Sequence, residues 1–131
     1  MTALAIDLWD KRCGIATQVE SIAFPAEIVA RHELIGVMKK YIKTWKYQSI
    51  VVGMPHDLYG KQDRQLNKTQ DFVDKLYAIF PEIDIHTIDE RFTSFAADQT
   101  LREMWNNSDN IWQKDALAAA EILQTYINKK A

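Results

Sequence analysis

Cysteine is almost absent from this chain of 131 residues: Cys13 stands alone. No internal disulfide can form, so stability has to come from a buried core rather than from covalent staples. Long hydrophobic runs are missing too. None approaches the ~20 apolar residues of a membrane span, and the opening MTALAIDLWDKR reaches an acid at its seventh residue, too soon for the apolar centre of a secretion signal. The expectation is a cytoplasmic protein without membrane association. Only 3 prolines and 4 glycines occur, placed singly and for the most part at segment boundaries, which excludes linkers, low-complexity tracts and repeats. One domain over residues 1–131 is expected, long enough to bury a sizeable core. Positive charge is not in surplus either. A formal net charge of -2 gives no global attraction to phosphate polyanions, so binding to a nucleic acid would need a local basic patch. What is present is an ordinary globular composition, 47% apolar and 26% charged, far from disordered or collagen-like extremes.

The patterned segments follow one another without a break. Leu4, Ala5 and Ile6 lead into Asp7 as a short strand, and Cys13 to Thr17 reads as its hairpin partner across the polar turn at Asp10 and Lys11. Ser21 to Phe24 supplies a third strand, which Pro25 is expected to interrupt. Leu34, Met38, Tyr41, Ile42 and Trp45 recur at helical spacing, with Lys39, Lys40 and Lys43 directed elsewhere. Ser49 to Val52, ended by Gly53 and Pro55, reads as a strand buried on both faces. Leu66, Phe72, Val73, Leu76, Tyr77 and Phe80 mark a second helix closed by Pro81, and Ile83 to Ile88 a further strand. Thr93 or Ser94 caps a helix through Trp105, and Lys114 to Asn128 forms the last one. An antiparallel opening followed by strand–helix alternation implies a mixed five-stranded sheet flanked by helices. That is the element order of the α/β class known as the RNase H-like fold, with the first strand central.

Functional groups on parallel sheets collect beyond the carboxyl ends of the strands. Asp7 closes the first strand and Asp89-Glu90 the last, while Asp115 lies in the first turn of the final helix. Position alone leaves Asp115 open as a simple helix-start acid, favoured there by the helix dipole. Three carboxylates meeting in a cleft raise each other's pKa unless a cation lies between them. Hard oxygen donors of this kind suit Mg²⁺ or Mn²⁺, and a pair of such ions serves in-line attack on a phosphodiester. His32, His56 and His86 show no metal-ligand spacing; they read as surface or loop residues, with His86 as strand packing, and Cys13 as a small buried side chain. Basic residues stand beside each acid: Lys11 and Arg12, Arg91, and Lys114, with Lys61 and Arg64 in the loop around Gly60. They can hold phosphate oxygens of a nucleic acid; the plain alternative is that each neutralises its neighbouring acid.

Four blocks resemble one family in its own order: Asp7-Leu8-Trp9-Asp10-Lys11-Arg12-Cys13-Gly14; Val51-Val52-Gly53-Met54-Pro55 with Gly60; Asp89-Glu90-Arg91-Phe92-Thr93-Ser94; and Lys114-Asp115-Ala116-Leu117-Ala118-Ala119 with Ile122-Leu123-Gln124. The chain resembles the YqgF (RuvX) family over essentially its whole length. That resemblance implies an RNase H-like fold and kinship with RuvC-type Holliday junction resolvases. It also implies a metal-dependent nuclease that matures the 5′ end of 16S ribosomal RNA in the bacterial cytoplasm. Carried over by position, Asp7, Glu90 and Asp115 are the metal-binding acids, and Lys11, Arg12 and Arg91 occupy the family's basic positions.

One residue departs from the pattern: Trp9 stands where the family has Gly, two residues after the first acid. If the strand continues, positions 7 and 9 share a face, and the indole can stack on an unpaired base, block the cleft, or fold away under the hairpin, the last being the simplest expectation. Three functions therefore stay in view: a nuclease acting on precursor ribosomal RNA, a resolvase-like DNA endonuclease cutting branched DNA, and a nucleic-acid-binding module without catalysis. A nucleotide-binding domain of the actin and sugar-kinase class fits poorly, since that architecture needs two such domains. Trp105 and Trp112 flank a polar loop and leave a monomer or a weak homodimer equally open.

Overall fold

Apolar residues alternate in size along Ala3–Leu8, the first strand (β1), and this alternation assigns its two faces. The computed structural model describes residues 2–55, 63–90 and 114–130. β1 pairs antiparallel with β2, Arg12–Val19, and β2 with β3, Ile22–Ala30. A short 3₁₀ turn at Arg31–Glu33 leads into helix α1, Leu34–Trp45. β4, Ser49–Met54, then returns to pair parallel with β1. Helix α2, Asp63–Ile79, and strand β5, Asp84–Asp89, follow, with β5 parallel to β4. Helix α3, Lys114–Lys130, is the last described element. The sheet order is β3-β2-β1-β4-β5, so β1 is central, as expected of an RNase H-like domain.

Leu4, Ile6 and Leu8 of β1 join Ile15, Ile50 and Val52 beneath α1 and α2, where Leu34, Met38, Phe72, Val73 and Leu76 complete one core. The opposite face carries Ala3, Ala5, Ala16, Ala23 and Val51 against Ala119, Ala120, Ile122 and Leu123 of α3. Small side chains on both partners let α3 lie close to the sheet. Gln124 fastens it there: its Oε1 accepts from the Ala23 N–H at 2.9 Å and its Nε2 donates to the Ser21 carbonyl at 3.1 Å. This explains in physical terms why a polar residue is buried in the last helix, since it satisfies backbone groups at the β2–β3 turn.

Two expectations need correction here. Pro25 does not end the third strand, which runs on to Ala30. β3 is an edge strand, and a register shift opposite Ile15 and Ala16, with Pro25 facing Ala16, places the proline at a bulge where its missing N–H breaks no ladder. Likewise Gly53 does not terminate β4, which extends to Met54. The helix expected from Thr93 or Ser94 to Trp105, together with His56, Lys61, Arg91 and Trp112, lies outside the described residues. No helix among the described residues is long and apolar enough to cross a membrane.

Candidate active site

Period-two alternation puts Asp7 on the α3 face of β1, in line with Ala3 and Ala5. Its antiparallel partner on β2 is Gly14. On the other side, one step past the Ile6–Val52 pair, Gly53 of β4 stands level with it. Asp7 is thus a carboxylate only 2% exposed, set between two strands that present no side chain beside it. The same alternation along β5 takes Ile88 of the α3 core to position 90, immediately past the strand. Glu90 uses the space that glycine leaves: a β-carbon at position 53 would come within 2.7 Å of Glu90 Oε1 and 2.4 Å of Ile122 Cδ1. Glycine is required at 53 for close approach.

The two carboxyls meet. Glu90 is pushed from its ordinary 4.5 up to about 8, first by burial, then by its hydrogen bond with Asp7 and by the negative charges of Asp7 and Asp89. The protonated form of Glu90 is thereby favoured beside the Asp7 carboxylate, the direction expected of paired acids in a poorly solvated site. Among the described residues, no three His, Cys, Asp or Glu side chains assemble as a metal cluster. The third expected acid, Asp115, belongs to the first turn of α3, and its side chain lies outside the described residues, as does that of Lys114. The helix itself aims the right way. Ile122 covers Gly53 and Gln124 reaches the far hairpin, so the N-terminus of α3, a little over two turns or about 12 Å before Ile122, is directed to the Asp7 end of the sheet.

Trp9 does not fold away under the hairpin. Its indole Nε1–H donates to Asp7 Oδ2 at 2.8 Å, while the side chain remains 43% exposed. The turn that carries it is fastened from several sides. Arg31 Nη1 donates to the Trp9 carbonyl at 3.4 Å, the Cys13 thiol approaches the same oxygen at 3.8 Å, and the Arg31 N–H donates to the Lys11 carbonyl at 2.9 Å. From α2, Gln65 Nε2 donates to the Leu8 carbonyl at 3.2 Å and Lys68 pairs with Asp10 at 3.1 Å. Lys11 and Arg12 stand exposed in this turn, Arg12 on the same face of β2 as Gly14. Arg64 is exposed in the first turn of α2, next to Gln65 and hence at the same end of the sheet. Two of the three histidines are placed as the spacing implied: His32 is exposed beside Glu33, and the His86 ring packs on Tyr126 with centroids 5.1 Å apart. Cys13 is buried. The residues that spacing did not single out are Gly53 as the seat of Glu90, and Gln65 and Arg31 as props of the turn; a polar side chain at the first turn of a helix was the only available sign of Gln65.

A mixed sheet in this order, with carboxyls gathered where its central strands end, defines a domain of the RNase H-like class. Residues 1–129 match RuvX, described as Holliday junction resolvase, and the chain belongs to that family. It is 33% identical over 133 residues to a protein of Fusobacterium nucleatum named "Putative pre-16S rRNA nuclease", covering 97% of this chain and 96% of that protein. A protein of the same name from a Sulfurihydrogenibium species is 35% identical over 132 residues, covering 96% of this chain and 89% of that one. Among solved structures, RuvC of T. thermophilus in complex with a Holliday junction substrate superposes with a TM-score of 0.73 over 99% of this chain and 95% of that chain. At 9% identity that likeness speaks to the fold.

Proposed function

We propose that the chain is a metal-dependent nuclease hydrolysing phosphodiester bonds, acting in maturation of the 5′ end of precursor 16S ribosomal RNA. The observation that carries this reading is the meeting of the Asp7 and Glu90 carboxyls in a poorly solvated pocket over Gly53, two oxygen donors whose mutual repulsion a cation would relieve. Membership in the RuvX family and the name shared by its relatives support the substrate. Asp7, Glu90 and Asp115 would hold Mg²⁺ or Mn²⁺, hard ions matched to an all-oxygen donor set. When bound, such an ion supplies an activated water and Lewis acidity at the phosphate.

The chain's own residues then have separable tasks. Asp7 is held in one orientation by the indole N–H, which donates to Oδ2. Glu90, protonated more readily than an ordinary carboxyl, would have to ionise to serve as a ligand. Lys11 and Arg12, joined by Arg91, Lys61, Arg64 and Lys114, gather phosphate oxygens and draw the polyanion toward a site that is otherwise negative.

The deciding experiment incubates wild type and Asp7→Asn with precursor 16S RNA in Mg²⁺ or Mn²⁺, with EDTA controls and a four-way DNA junction as a second substrate. Cleavage of the RNA by wild type, lost by at least about 100-fold in the variant and in EDTA, is the expected result. Equal cleavage by both proteins would overturn the site. Cleavage of the junction but not of the RNA would make the chain a resolvase-like DNA endonuclease, and binding without turnover in either protein would make it a binding module.

A further inference from the structure

Among the described residues Trp9 belongs to neither hydrophobic core, yet both its side chain and its turn are tied down at the mouth of the acidic site. One edge of its ring is tied to Asp7 by the 2.8 Å hydrogen bond, its backbone oxygen is held by Arg31, and the turn around it is braced by Gln65 and Lys68. Even so, the side chain leaves 43% of its surface to solvent. A large apolar ring held in place with nearly half of its surface in water forgoes part of the stabilisation that full burial would bring. It has, however, already lost the rotamer freedom that a ligand would otherwise have to remove on binding.

We propose that Trp9 is a base-stacking platform: the exposed indole receives an unpaired nucleobase within a nucleotide or two of the phosphate that Asp7 and Glu90 address. This inference rests on the nuclease reading and adds to it the class of substrate, a strand that is single-stranded at the cleaved bond. Three features of the turn support it. The indole N–H places the ring within hydrogen-bond length of an acid of the site, so a base lying on the ring belongs to a nucleotide adjoining the site. Lys11 and Arg12 follow in the same turn and are exposed, where phosphates flanking that base would lie. A π-face also accepts any base, so the platform selects for an unpaired strand and not for a sequence. In a continuous duplex both faces of each base are already stacked, and the ring has nothing to receive.

The test compares wild type, Trp9→Phe and Trp9→Leu. Phe keeps an aromatic face but loses the N–H; Leu loses both, so the difference between the two variants isolates the ring. A short single-stranded oligoribonucleotide carrying 2-aminopurine and a blunt duplex of the same length are titrated with Ca²⁺ in place of Mg²⁺, following probe fluorescence and affinity. The expected result is quenching of the probe by wild type and Trp9→Phe. Affinity of Trp9→Leu for the single strand should be about tenfold weaker, in the range that loss of one stacked base produces, with duplex affinity unchanged. Equal single-strand affinity in wild type and Trp9→Leu overturns the inference, as does an equal loss for single strand and duplex, and so does failure of wild type to bind the single strand. The reading beneath it fails differently: precursor RNA left uncut by wild type in Mg²⁺ or Mn²⁺ removes the nuclease, whereas cutting with identical strand preference in wild type and Trp9→Leu removes only the platform. Matching thermal midpoints for the three proteins confirm that the comparison is made between folded chains.

Discussion

The two faces of the sheet are built from the same five strands by opposite means. Beneath α1 and α2, large branched side chains such as Leu4, Ile6, Ile50 and Leu76 are wholly buried. Beneath α3, alanine and glycine dominate, and where they continue toward the carboxyl end of the strands the space left over holds Asp7 and Glu90. One face is therefore spent on stability, while the other gives up side-chain volume to admit a helix at close range and, beyond it, a pair of acids. Polar chemistry needs room that a jigsaw core does not leave.

The sharpest way to break this contrast is to empty the first face. Ile6→Ala removes a fully buried side chain and should cost about 2–5 kcal/mol in urea unfolding, while Mn²⁺ affinity of the protein that remains folded stays within about twofold, as expected for a site on the other side of the sheet. A large loss of metal affinity in this variant would show that the faces are not independent. The opposite manipulation fills the second face. In Gly53→Ala the added methyl meets Ile122 Cδ1 and Glu90 Oε1, both ends of side chains that can move, so stability should fall by only about 1 kcal/mol. Glu90, however, must swing off Asp7, and Mn²⁺ binding measured calorimetrically should weaken by tenfold or more, on the order of one good ligand contact.

A third prediction concerns protons. Glu90 is raised from 4.5 to about 8 in the folded chain, so the folded state binds a proton that the unfolded state releases above its ordinary carboxylate value. This contribution to stability is complete below about pH 4.5 and is lost as pH rises through about 8. In EDTA the thermal midpoint should accordingly decline across that window, and Glu90→Gln, which cannot ionise, should remove the decline. Cation binding has to displace the same proton, so Mg²⁺ or Mn²⁺ affinity should rise with pH toward about 8 and then level off, with proton release visible as a dependence of binding heat on buffer. The smallest effect calibrates the others from outside both faces. Lys46 ends α1 in the left-handed region at φ 54°, its N–H bonded to the Ile42 carbonyl, and Lys46→Gly should stabilise the fold by roughly 0.5–1 kcal/mol with no change at the metal site.

Much of this was legible along the chain because it is written in local periodicity. The alternation through Ala3–Leu8, the helical stripe from Leu34 to Trp45 and the four short blocks around Asp7, Gly53, Glu90 and Asp115 each depend on neighbours a few residues away. Pro25 misled because a proline's effect depends on whether its strand lies at an edge, and edges exist only once the sheet is assembled. Trp9 misled for a related reason: the partner that orients its ring is a carboxylate made nearly inaccessible by other strands and by α3. By itself the sequence determined the element order, the two kinds of face and the acids at the strand ends, since side-chain period and turn chemistry act over short spans. Only the tertiary structure decided that Glu90 rests over Gly53, that its carboxyl meets that of Asp7, and that the Trp9 indole stays at the mouth of the site. Those outcomes depend on distances between strands that are far apart in the chain, and on the exclusion of water where they meet.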